Sequence, residues 1–367
     1  MKKNIMVASV VLAFMLISCG PSAGPTAMSL EFNGRKSEFS TNIYNYYLSA
    51  TKTRALVNMY TSFGLSAEQM QDMPELWDDE QLAAEVREQA EFTMKQMLAV
   101  VAYCKEHNLT LSSEQRDRID EYIRLVITEV FGRSRASFNN TLARFLIDEN
   151  IFREIRRNEA LLGLVNTHIF DQETGRRPVQ YEDILTVYEA GFARFKHIVI
   201  ITRSVERDVE GELIEFTAEE LAEIRAGAQD IYNQIIESGD DEVFERLMAE
   251  HSADAPVSYT ISESTGLDET LTRTLFDMET GEARMVELEG GSIHIMKRYE
   301  LEPPEETPDL TSQGSTVAQS LTRSFQTLIL FEELAPYIEH IVMNTEETDK
   351  FSIKTSDAML DVWDWIE

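Results

Sequence analysis

The hydrophobic period of this chain changes at Phe195, and that change decides its fold class. Upstream, Ala83, Val86, Ala90, Met94, Met97 and Val101 step by three and four, the spacing of one helix face. Ile119, Tyr122, Ile123, Val126, Ile127 and Val130 repeat that step after the capping sequence Ser112-Ser113-Glu114-Gln115. A third helical stretch is expected from Ser137 to Phe170, with Leu142, Phe145, Leu146, Ile151, Ile155 and Leu162 turned inward. Gly175 to Pro178 breaks it, and a short helix follows from Tyr181 to Ala190.

Phe195-Lys196-His197-Ile198-Val199-Ile200-Ile201 is then a β-branched run, the composition of a central strand. Leu221, Ile224, Ala228, Ile231 and Ile235 mark an amphipathic helix closed by Gly239, and Val243, Phe244, Leu247 and Met248 a shorter one. Met285–Leu288 and Ile293–Met296 read as a hairpin around Gly290-Gly291. One sheet with helices packed on it is expected there.

Glu302-Pro303-Pro304-Glu305-Glu306 reads as a stiff acidic linker. Beyond it, Val317, Leu321, Phe325, Leu328, Phe331 and Leu334 form another helical stripe, which Pro336 is expected to kink or restart. The fold class is therefore α+β. Residues 31–190 form a helical domain, 191–302 a sheet domain, 303–314 the linker, and 315–367 a C-terminal helical segment packing on the first domain.

The N-terminus carries a targeting pattern. Lys2 and Lys3 precede the apolar run Ile5–Ile17, too short for a comfortable bilayer span, so residues 1–18 read as a signal peptide. Leu16-Ile17-Ser18-Cys19 resembles the bacterial lipoprotein processing box, which makes Cys19 the lipidated first residue of the mature chain and 19–30 a flexible tether. With two cysteines in all, Cys19 and Cys104, no disulfide framework is expected, and Cys104 reads as a buried thiol. The 33 Lys and Arg face 65 Asp and Glu, a net charge of −32. A surface so acidic excludes a nucleic-acid partner, which needs clustered cations.

Few residues could carry chemistry. No His-x-x-x-His, Cys-x-x-Cys or EF-hand spacing occurs, so neither a metal site nor a cofactor is expected. His251 and Asp254 are close enough in sequence for a chance pair only. Gly290-Gly291-Ser292 is turn chemistry, since no helix follows it. Of the six histidines, His107, His168, His251 and His340 lack companions. His197 and His294 differ, because each sits inside a strand-like run; on spacing alone two hydrogen-bonded core imidazoles account for them.

Lys196-His197-Ile198-Val199-Ile200, Phe244-Glu245-Arg246-Leu247, Ser252-Ala253-Asp254, Gly281-Glu282 and Ser292-Ile293-His294-Ile295-Met296 together resemble a parvulin-type peptidyl-prolyl isomerase domain. The lipoprotein-like start, and Asn33-Gly34 followed by helices, extend the resemblance to extracytoplasmic foldases of the PrsA and SurA type. The resemblance implies a parvulin-like α/β domain inserted in a mostly helical chaperone domain. It also implies a catalytic role for His197, Asp254 and His294, and a proline pocket drawn from Leu267, Leu271 and Phe276. Two departures stand out: Leu271 replaces the pocket Phe, and Pro256-Val257-Ser258-Tyr259-Thr260 replaces the expected Gly-Gly-Asp-Leu-Gly segment.

Two functions stay open on these residues. One is a lipid-anchored isomerase, weak in activity, that assists unfolded or partly folded exported polypeptides. The other is a holdase chaperone with a degenerate isomerase domain. Either lies outside the cytoplasm and meets the membrane through its lipid anchor, and a homodimer is compatible with both.

Overall fold

The computed structural model describes residues 24–64, 74–203 and 216–360. Cys19, the signal peptide and the tryptophans at 363 and 365 lie outside the described residues. The chain forms two compact units, one of Met1–Arg176 with Leu330–Glu367 and one of Arg177–Ile329. The fold class is α+β, with the second unit inserted in the first. Its boundaries differ from those expected at residues 190 and 302, because the helix Tyr181–Gly191 and the 302–316 segment both belong with the sheet.

The first unit opens on a hairpin where a helical region was expected. Strands β1 (Thr26–Phe32) and β2 (Arg35–Ser40) are joined by Asn33-Gly34, with φ of 48° and 72°. Two successive positive φ values make a type I′ turn, whose twist matches the strands and which favours Asn-Gly. Helices α1 (Thr41–Phe63), α2 (Glu80–Glu106), α3 (Ser113–Leu125), α4 (Arg135–Arg144) and α5 (Glu149–Phe170) follow. Ser112 and Gln115 form the expected capping box.

The single helix expected from 137 to 170 is two. Leu146 takes a left-handed φ of 61°, and Asp148 caps the next helix by accepting from the amides of Asn150 and Ile151. Tyr44, Leu48, Met94, Leu98, Phe138, Phe145, Phe152 and Ile155 fill the core.

The second unit is built on a four-stranded antiparallel sheet. Helix α6 (Tyr181–Gly191) leads into β3 (Phe192–Ile201), followed by α7 (Ala218–Ser238), α8 (Asp241–His251), β4 (Tyr259–Ser262), α9 (Glu269–Phe276), β5 (Ala283–Leu288) and β6 (Ser292–Tyr299). The strand order is β4-β3-β6-β5. Alternation along β3 and β6 sends side chains to two faces. Ile198 and Ile295 meet Ile231, Ile235, Phe244 and Leu247 of α7 and α8 on one face. Phe195 and Met296 meet Leu271 and Leu275 of α9 on the other. Glu289, Gly290 and Gly291 turn the β5–β6 hairpin, with Gly291 at φ 87°.

The acidic segment after β6 is anchored and does not act as a free linker. Tyr188 Oη donates to the Glu302 carbonyl at 3.0 Å and lies 3.1 Å from Thr307 Oγ1, and Thr307 is 2% exposed. Helix α10 (Val317–Ile338) continues through Pro336, which lies in its last turn, where the missing amide costs a single bond. Strand β7 (Ile341–Met343) then pairs antiparallel with β1, giving the first unit a sheet of order β2-β1-β7. Beyond the short helix α11 (Thr345–Thr348) the described residues, to 360, form turns and irregular chain. Lys52 of α1 holds it by donating to the carbonyls of Ile353 at 2.7 Å and Ser356 at 2.9 Å.

Candidate functional site

Register brings the two strand histidines together. Val199 pairs with His294 and His197 with Met296 in the β3–β6 ladder, so His197 and His294 are diagonal neighbours on the α9 face. Their Nδ1 atoms lie 3.3 Å apart. Both are nearly buried, at 9% and 8% exposure.

Asp254 reaches them from the loop after α8. Ser252 Oγ accepts from the amides of Val199 and Asp254, and the Ala253 amide donates to the Val199 carbonyl at 2.7 Å, which ties this loop to the edge of β3. Asp254 Oδ2 consequently lies 3.0 Å from His197 Nε2. At the far end, Ser292 Oγ lies 3.0 Å from His294 Nε2.

Donor counting orients this chain. A neutral imidazole has one donor and one acceptor nitrogen. An ionised Asp254 can only accept, so His197 donates from Nε2 and accepts at Nδ1. His294 then donates from Nδ1, and its Nε2 accepts the Ser292 hydroxyl. The line Ser292–His294–His197–Asp254 is thus satisfied at every step by neutral rings and one carboxylate.

The electrostatics agree. Burial, with the neighbouring His197 adding to it, pushes the His294 pKa down to about 4. The hydrogen bond from His197 holds the Asp254 carboxyl below its ordinary range, with the Ala255 amide and Tyr259 hydroxyl adding to that effect. Asp254 opens to solvent, with 44% of its side chain exposed against 11% for His197. A ligand would therefore meet the carboxylate end.

The residues expected to form a proline pocket separate. Leu271 is 7% exposed and packs under the sheet with Leu275, because positions i and i+4 of α9 share its inner face. Leu267 and Phe276 instead line a shallow groove of about 360 Å³ with Glu263, Glu269, Thr272, Arg273 and Asp277. That lining includes none of His197, Asp254 and His294.

Sequence reasoning missed two members of the site. Ser292 lies two residues before His294 on the same strand face, a period-of-two signal available in Ser292-Ile293-His294. Tyr259, whose Oη donates to Asp254 Oδ2 at 3.0 Å, could be found only through the pairing of β4 with β3. His251 lies 3.8 Å from Glu250, while Asp254 takes His197. Nor are His107 and His168 without companions: their rings are 5.1 Å apart, and both contact Tyr103. Among the described residues no group of three or more His, Cys, Asp or Glu is placed to hold a metal ion. No helix among them is long and apolar enough to cross a membrane.

No protein-family model matches the chain, and no match is found among curated proteins. Among solved structures it is similar to PrsA from Bacillus subtilis, at 16% identity over 73% of this chain and 85% of that one, with a TM-score of 0.21. It is also similar to foldase protein PrsA from Streptococcus pneumoniae, at 11% identity over 71% and 83%, TM-score 0.21. A third is peptidylprolyl isomerase PrsA from Bacillus anthracis, at 15% identity over 67% and 96%, TM-score 0.25. These values are low, and the chemistry of the site rests on its own geometry.

Proposed function

We propose that this chain is an extracytoplasmic foldase, anchored by a lipid on Cys19, whose inserted unit catalyses prolyl cis/trans isomerisation in exported polypeptides. The observation that carries this reading is the hydrogen-bonded line from Ser292 through His294 and His197 to a solvent-facing Asp254.

Rotation about a peptide bond meets a barrier of about 18–20 kcal/mol because amide resonance is lost at the twisted geometry. No bond breaks, so no nucleophile is needed. The planar amide carries extra negative charge on its oxygen; the twisted one carries less. An ionised carboxylate beside that oxygen raises the planar state relative to the twisted one, which lowers the barrier. Asp254 is the charged, exposed member, and the two neutral histidines hold it in place from within.

A second reading is a holdase without turnover. The placement of Leu271 in the core, with Leu267 and Phe276 lining a groove that excludes Asp254, favours it. An exchange assay on a prolyl peptide with the wild type and His294→Ala separates the two. Turnover in the wild type that falls in the variant supports the isomerase. Absence of turnover in both, with aggregation of an unfolded client suppressed, supports the holdase.

A further inference from the structure

Asp254 is held by a residue from the very segment that departs from the family pattern. Only Ala255–Ser258 separate it from β4, so the strand begins at Tyr259, opposite Phe195. His197 lies two residues beyond Phe195 and therefore on the same face. The Tyr259 ring centroid is 5.6 Å from that of Phe195 and 5.4 Å from that of His197, the latter at 69°. Its hydroxyl donates at 3.0 Å to Asp254 Oδ2, the oxygen that also takes His197 Nε2–H. Asp254 Oδ1 accepts the Ala255 amide at 2.8 Å.

We infer that Tyr259 is a positioning residue that orients the Asp254 carboxylate and, through it, the His197 ring. The inference deepens the isomerase reading and rests on it for its catalytic consequence. A half-exposed carboxylate on a loop has water competing for each lone pair, and a donor fixed on a strand replaces one such water with a set direction. The phenol suits this task because it stays protonated: burial and the Asp254 charge both raise its pKa. With three protein donors on two oxygens, the carboxylate has one preferred rotation and presents its remaining lone pairs to solvent.

Tyr259→Phe keeps the ring against Phe195 and His197 and removes the hydroxyl alone. The expected result is an upward move of the Asp254 carboxyl titration, followed by carbon-13 NMR, and a fall of about tenfold in kcat for prolyl exchange with KM little changed. An Asp254 titration unmoved in Tyr259→Phe overturns the inference, whatever the activity. A moved titration in a protein whose wild type shows no exchange upholds the positioning contact and sinks the isomerase reading. Should the Phe variant fail to fold, Asp254→Asn gives the reciprocal readout. The phenol pKa, read by ultraviolet absorbance, falls on loss of the carboxylate charge, and a phenol that does not move overturns the inference.

Discussion

His294 Nδ1 faces His197 Nδ1 at 3.3 Å, so one proton is shared between the two nitrogens and a second cannot enter without cost. Protons on both Nδ1 atoms would set two N–H groups against each other and push the rings apart.

This sets a pH dependence. His294 titrates near 4 in the fold against an ordinary 6.5, so the unfolded chain takes its proton first. The stabilising contribution is fully present above about pH 6.5 and is lost as pH falls towards 4, on the order of 2 kcal/mol after allowance for solvent screening. Denaturant melts of the isolated wild type and His294→Gln across pH 4–7 check it. The wild type should lose stability on acidification more steeply than the variant.

Leu271 and Leu267 should behave as different kinds of residue. Leu271→Ala empties part of a packed core and should cost about 2–5 kcal/mol of folding stability. Leu267 is 42% exposed, and Leu267→Ala should stay within about 0.5 kcal/mol. Thermal melts decide this; equal small effects would remove Leu271 from the core.

The Lys52 ammonium is the anchor of the C-terminal segment. It is 6% exposed, and Lys52→Met leaves the carbonyls of Ile353 and Ser356 unpaired, at a cost of about 1–3 kcal/mol. Limited proteolysis should then cut within 350–360 in the variant and leave the wild type intact there.

The anchor reading is tested on Cys19 itself. Cys19→Ser should move the protein from the membrane fraction to the soluble extracytoplasmic fraction, as two-phase detergent partitioning would show. Retention of the variant on the membrane would assign attachment elsewhere.

On the isomerase reading, prolyl peptides flanked by lysine should be turned over faster than those flanked by glutamate, because Asp254 and a chain charge of −32 attract the former. The ratio should shrink as salt is raised, and a salt-independent ratio would assign the preference to contacts rather than to the field.

How much of this was readable in the chain varies by element. The change of period at Phe195 did announce the sheet, since β3 is flanked on both faces and its β-branched run is long. Asn33-Gly34 is a strong hairpin signal, yet Arg35-Lys36-Ser37-Glu38 beside it is too polar to read as a strand. Ile341–Met343 is three residues long and acquires its identity only by pairing with β1. The contact between His197 and Asp254, 57 residues apart, depends on the loop after α8 docking on Val199, which no local pattern encodes. Tyr103, His107 and His168 converge from two helix ends for the same reason.

The pairing of β1 with the C-terminal strand orders the folding of the molecule in time. The Asn344 side chain donates to the Thr26 carbonyl across 318 residues, and the intervening unit holds its own sheet and core. A chain threaded outward from its N-terminus exposes β1 long before β7 arrives. The inserted unit can complete itself meanwhile, whereas the outer one pays a long loop closure and finishes last. A protein built this way keeps its outer unit incomplete, and β1 without its C-terminal partner, until β7 has been delivered.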